Sequence, residues 1–201
     1  MSDDILTEEG FLVLADISGF TAFMTATELE HGAEITGLLL QTLIQELEGD
    51  AVFALGPDRI VADGRTMPPL LAEAFAAFTE RQRRIASEPG CECGACRETS
   101  HLSLKLIAHH GRFVRQLVGG RSRVTGPDVI LAHRLLKNAV GVGAYALFTE
   151  PALARAGLDP VARGMGRHRV SYPYLGEVSC FVTDLIALAP PAAAGAAVGA
   201  A

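Results

Sequence analysis

Phe11-Leu12-Val13-Leu14-Ala15-Asp16-Ile17-Ser18-Gly19-Phe20-Thr21 is the stretch on which the fold turns. Its first five residues form an apolar run that stops at a carboxylate, the pattern of a short buried strand. Past Gly19, apolar residues recur at helical spacing through Ile35, Leu38, Leu39, Leu43 and Leu47, with His31-Gly32 reading as a break that divides the region in two. Glu48-Gly49-Asp50 is a tight-turn signal before a second apolar run at 51–55, which stops at Gly56-Pro57-Asp58. Together these read as a hairpin.

Outward from there, Pro68-Pro69 opens a second helix with Leu71, Phe75 and Phe78 on one face, ending in Arg81, Arg83 and Arg84. Basic residues there complement the helix dipole, so this cluster reads as a helix end and not as a nucleic-acid patch. Residues 102–109, then Gly111, then 113–118 read as a second hairpin. Gly126-Pro127-Asp128 starts a third helix through Leu136. A strand at 145–148, a short helix at 150–156 and a strand pair at 170–174 and 178–185 follow. The last residues, 189–201, are Pro, Ala and Gly apart from Val198, and read as a disordered tail. Strands and helices alternate, but two strand pairs are too closely linked for helical crossovers. That favours an α+β fold, a mixed sheet with helices on one face, in one domain over 1–188.

Composition narrows the function. The chain has 201 residues, 49% of them apolar and 20% charged, which is ordinary globular usage and enough to bury a core without disulfides. Seventeen basic against 23 acidic residues give a net charge of −6, which argues against a nucleic-acid partner. No run is long and apolar enough to span a bilayer, and the acidic N-terminus lacks the basic segment of a signal peptide. Four cysteines in a chain this size do not make a secreted disulfide framework, so the expected setting is cytoplasmic, with no membrane partner.

The segment Asp16-Ile17-Ser18-Gly19-Phe20-Thr21 after a strand, with Glu48-Gly49-Asp50 before another, resembles the class III nucleotidyl cyclase catalytic domain. Residues 104–111, Leu-Lys-Leu-Ile-Ala-His-His-Gly, resemble that family's later strand, and 126–135 its Gly-x-x-Val-Asn-x-Ala-x-Arg-Leu helix. The matches fall in order over roughly 9–185. The resemblance implies a ferredoxin-like mixed sheet covered by helices. It further implies Asp16 and Asp50 as ligands of Mg²⁺ or Mn²⁺, the backbone of Ile17, Ser18, Gly19, Phe20 and Thr21 against the phosphates of a purine nucleoside triphosphate, and a homodimer in which Arg134 acts across the interface. Hard cations of this kind take carboxylate oxygens together with substrate phosphates. Taken alone, Asp16 reads more simply as a helix cap and Asp50 as a turn residue; it is the pairing of the motifs that brings metal or nucleotide binding level with that reading.

Three departures argue against cyclisation. Ile130 stands at the family's ribose-orienting Asn position and cannot hydrogen-bond. Arg123 stands at the base-reading position, where a guanine edge or a phosphate suits it better than adenine. The purine-selecting Lys before the Gly-Asp turn has no clear counterpart near Gln45 and Glu46. A dimeric, non-catalytic signalling or interaction module is the alternative.

Cys91, Cys93 and Cys96 place three thiols in six residues within a loop at 88–98. In a cytosolic setting this suggests a structural Zn²⁺ site, with His101, Cys180 or His109 as candidate fourth ligands. A redox loop and a plain reduced loop are the other readings. Strand alternation sends His109 and His110 to opposite faces, one core and one exposed. His31, among Glu28, Glu30 and Glu34, reads as part of a solvated helix face or, less readily, as a ligand group.

Overall fold

The structure, a computed structural model, describes residues 5–47, 53–61, 63–87, 91, 93–141 and 143–188. Asp50 with its turn, and the tail at 189–201, lie outside the described residues. The opening apolar run belongs to a longer strand, β1 (Ile5–Ser18), which leads through Gly19 into α1 (Phe20–Ala26) and then α2 (Leu29–Leu47). There follow β2 (Phe53–Pro57), α3 (Met67–Ala86), α4 (Gly94–Glu98), β3 (Ser103–Val118), β4 (Arg121–Thr125) and α5 (Pro127–Leu135). The chain closes with β5 (Tyr145–Thr149), α6 (Glu150–Ala156), β6 (Gly166–Tyr172) and β7 (Gly176–Asp184). The sheet order is β2-β1-β3-β5-β7-β6, with β4 paired to the far half of β3. Among the described residues, only β3 and β5 run parallel; the other pairs are antiparallel. This is the α+β, mixed-sheet architecture that the sequence implies.

Successive residues of β1 point to opposite sides of the sheet. Phe11, Val13, Ala15 and Ile17 pack with Ile35, Leu39 and Leu43 of α2 and Leu71 and Phe78 of α3. Leu12 and Leu14 pack with Ile107, Leu147 and the α5 residues Val129, Leu131, Ala132 and Leu135. Helices therefore cover both faces and not one, and the unbroken apolar run exists because β1 feeds two cores. Burying each such large side chain contributes roughly 1.5–3 kcal/mol, so the central strand anchors the fold from both sides.

Two glycines read as breaks serve packing instead. The second hairpin does not form at Gly111: β3 is one continuous strand that pairs with β1 from Ile5↔Gln116 to Ser18↔Ser103. The reversal comes later, at Gly119 and Gly120, which adopt φ of 60° and 77°. At Gly111, a Cβ would lie 2.5 Å from the Asp128 carboxylate, so the missing side chain admits the start of α5 against the sheet. The helical break likewise falls at Thr27, which is extended, and α2 runs through His31 and Gly32. A Cβ on Gly32 would stand 2.7 Å from Thr27 Oγ1, so this glycine lets the end of α1 pack on the first turn of α2. The predicted first hairpin is, among the described residues, one strand: β2 follows α2 and returns to pair with β1, from Gly10↔Pro57 to Leu14↔Phe53.

Candidate functional site

Asp16 lies near the C-terminal end of β1, on the face that carries α5. Its carboxylate is 42% exposed and pairs with Lys105 Nζ at 2.8 Å. Lys105, its register partner on β3, also donates to the Leu136 carbonyl at 3.3 Å, just past the last turn of α5. A cation is favoured there by the carbonyl end of the helix dipole, so one ammonium ties β1, β3 and α5 together. Tyr145, beside this pair, donates its hydroxyl to Asn138 Oδ1 at 2.8 Å, and burial raises its pKa. Lys105 was missed in the sequence; aligning Leu12 opposite His109 would have set it across from Asp16.

Ile17 is buried in the first core, and Ser18 ends the strand. Gly19 takes φ 85°, a left-handed conformation costly for other residues, and its Cα faces the His101 carbonyl, 3.1 Å from where a Cβ would stand. Phe20 and Thr21 then begin α1 exposed to solvent, with no side chain capping the helix. Arg134 and Arg123 are both exposed, on α5 and β4. The Arg134 carbonyl accepts the Tyr172 hydroxyl at 3.0 Å, and Asp16 pairs with Lys105 rather than with either arginine. Ile130 is half exposed on α5.

His109 and His110 do face opposite sides, but both are buried, each beside a carboxylate. His110 Nε2 lies 3.1 and 3.2 Å from the two Asp58 oxygens, and Arg155 Nε donates to Asp58 at 3.3 Å. His109 Nε2 donates to Asp128 Oδ1 at 3.2 Å, leaving Nδ1 to accept the Thr149 hydroxyl at 2.8 Å. Burial lowers the His109 pKa and outweighs the Asp128 carboxylate, which pulls the other way. The second Asp128 oxygen accepts the Arg112 amide at 2.7 Å. These are internal links between strand and helix, filled on both ring nitrogens of His109.

The thiol loop closes on α2. His31 Nδ1 is 3.1 Å from Cys93 Sγ and 3.9 Å from Cys91 Sγ, and those two sulfurs are 3.2 Å apart. With Cys96 they form four donor atoms all within 4.8 Å of one another, a group that can hold a metal ion. Cys93 caps α4, its sulfur accepting the Cys96 amide at 3.3 Å. That hydrogen bond first, then one from Cys91, lowers the Cys93 pKa to about 7, whereas burial first pushes Cys96 up to about 12. Glu28 accepts the Gly94 and Ala95 amides at 3.3 Å each, which pins the loop three residues before His31. None of the three expected fourth ligands is in this group: His101 pairs with Glu98 at 2.8 Å in solvent, His109 is held on the α5 face, and Cys180 is buried in β7. Placing the helix break at His31 hid its position in the first turn of α2, facing the loop.

With this geometry in hand, residues 12–145 match the family described as "Protein of unknown function (DUF2652)". The chain belongs to that family. An uncharacterized protein of Mycobacterium tuberculosis is 33% identical over 147 residues, which span 71% of this chain and 66% of the relative, just under two thirds of its length. Among solved structures, the guanylyl cyclase Cya2 superposes with a TM-score of 0.68 at 15% identity, covering 89% of this chain and 93% of that one. A bacterial light-regulated adenylyl cyclase gives 0.64 at 11% identity, covering 89% and 52%. A class III adenylyl cyclase-like ATP-binding protein from Pseudomonas aeruginosa gives 0.55 at 19%, covering 75% and 35%. The DUF2652 chain thus has the class III cyclase fold. Among its described residues, no helix is long and apolar enough to cross a membrane.

Proposed function

We propose that this DUF2652 chain is a divergent cyclase-like domain that binds a purine nucleoside triphosphate with Mg²⁺ or Mn²⁺ and cyclises it poorly or not at all. The observation that carries the reading is Asp16: a half-exposed carboxylate at the end of the central strand, directly before the left-handed Gly19 turn. An accessible carboxylate oxygen fits a hard divalent cation, which would offset the charge of the triphosphate. Asp16 and Asp50 would hold the ion, and the backbone from Ile17 to Thr21 would border the phosphates. Lys105 must share or release Asp16 when the ion arrives. The existence of a cyclase-like ATP-binding protein on this fold supports nucleotide retention as a function in itself.

Ile130 is the argument against turnover. Its apolar side chain on the exposed face of α5 offers the ribose nothing, and losing a transition-state hydrogen bond costs factors of roughly 10²–10³. Arg134, four residues on, keeps the charge suited to a phosphate, and Arg123 a donor for a guanine edge or a phosphate; both would serve a nucleotide held by a second subunit. A dimer has its own support. Leu6 and Leu117 share, by strand alternation, the face that carries α5, and they are 53% and 57% exposed, with Ile130 at 51%. Apolar surface of this kind marks a contact region, and the same face would serve a non-catalytic signalling module that dimerises without nucleotide.

Incubation of the full chain with ATP or GTP and Mn²⁺, followed by quantification of bound and cyclic nucleotide, tests the reading. Retained triphosphate without cyclic product is the expected result. Rapid cyclic product overturns the assignment of weak turnover. A chain that is dimeric in sedimentation but retains no nucleotide favours the interaction module.

A further inference from the structure

We propose that His31, Cys91, Cys93 and Cys96 form a structural zinc site that staples α2 to the loop before β3. The four donor atoms lie within 4.8 Å of one another, and one nitrogen with three sulfurs is a donor set suited to tetrahedral zinc. The set is drawn from two segments 60 residues apart, so the ion closes a long loop rather than decorating a local turn. Four protein donors leave no open coordination position, which makes the site structural and not catalytic.

The surroundings are arranged for it. Glu28 accepts the Gly94 and Ala95 amides and so fixes the loop against the start of α2. The Cys96 amide donates to Cys93 Sγ, which orients that sulfur and favours its thiolate, the form that binds metal. Gly94 sits where a Cβ would already touch the Ala26 carbonyl at 3.5 Å, so the loop and the end of α1 meet closely. All four cysteines are free thiols, so no disulfide competes for the three sulfurs. The same loop leads directly to His101, whose carbonyl faces the Gly19 turn. The ion would therefore secure the segment on which that turn packs.

The test uses the full chain. Purified without chelator, it is expected to carry about one zinc per chain. After stripping under reducing conditions, Co²⁺ should produce thiolate-to-metal charge-transfer bands and the visible bands of a tetrahedral ion. His31→Ala should weaken zinc and cobalt binding at least about tenfold, a loss no smaller than that seen for outer-shell partners, while His101→Ala leaves affinity and spectrum unchanged. Circular dichroism of both variants confirms folding, and the stripped native chain decides the question should His31→Ala fail to fold. The proposal is overturned if the reduced native chain takes up neither metal, if folded His31→Ala binds as tightly as native, or if affinity falls with His101→Ala instead.

Discussion

Replacing Gly111 with Ala tests how the strand and α5 are joined, and its size follows from the geometry. The new Cβ would sit 2.5 Å from Asp128 Cγ and Oδ2 and 2.8 Å from Asp128 Cβ. Reaching ordinary contact requires the carboxylate to move by about 1 Å. It cannot do so and keep both partners, the Arg112 amide at 2.7 Å and His109 Nε2 at 3.2 Å. A hydrogen bond to a charged group contributes about 1.5–3 kcal/mol, and His109, 3% exposed, would keep a donor with no acceptor. Against this, Gly→Ala in a backbone that tolerates it stabilises by about 0.4–1 kcal/mol, and Gly111 has no positive φ. The expected net loss is about 2–4 kcal/mol in urea unfolding. In an Asp128→Gly background the whole obstruction is gone, Cβ included, and the same substitution should cost close to nothing; the two effects are coupled through one contact. Equal cost in both backgrounds would refute the reasoning.

Three further predictions follow from buried polar groups. Glu8 is buried between Arg59, at 2.9 Å, and Arg115, at 3.1 Å; burial alone would raise its pKa, but the two guanidinium groups bring it below its usual 4.5. Its contribution is therefore complete above about pH 4.5 and lost as pH falls below it, so Glu8→Gln should lose about 1–3 kcal/mol at neutral pH and converge on native stability in acid titrations. The His109 pKa is lowered from 6.5, chiefly by burial; its contribution is present above that value and lost as pH falls. A Gln substitution should flatten that part of the pH–stability curve, and an unchanged slope would contradict the assignment. Cys180, fully buried with its thiol pushed up to about 12, should resist alkylation at neutral pH until the protein unfolds, which mass mapping of labelled peptides can read.

Local signals made much of this fold legible. The run at 11–15 announces the central strand, and Gly126-Pro127-Asp128 starts α5 where expected, because a fixed φ and a first-turn acid are readable without tertiary knowledge. Gly111 and Gly32 misled because a glycine that ends an element and one that admits a neighbour look alike in sequence; only Asp128 and Thr27 reveal which is which. The coverage of both sheet faces was implicit in the apolar run, but its second layer, α5, comes from more than a hundred residues later. In the candidate site, the ordered motifs singled out Asp16, and the spacing of Cys91, Cys93 and Cys96 singled out the three thiols. Lys105 was not found and His31, though noted as a possible ligand, was not joined to the thiols, since the first depends on strand register and the second on a loop folding back across some sixty residues onto a helix. The tail and the Asp50 turn lie outside the described residues.

The central claim is that Asp16 marks a metal–nucleotide site, and isothermal titration of ATP and GTP into the full chain with Mn²⁺ tests it most directly. The account predicts saturable binding that requires the ion and falls at least about tenfold, or about 1.4 kcal/mol, in Asp16→Ala, with the variant still folded. Binding that is indifferent to Mn²⁺ and to Asp16, or no binding by the folded native chain, would contradict it.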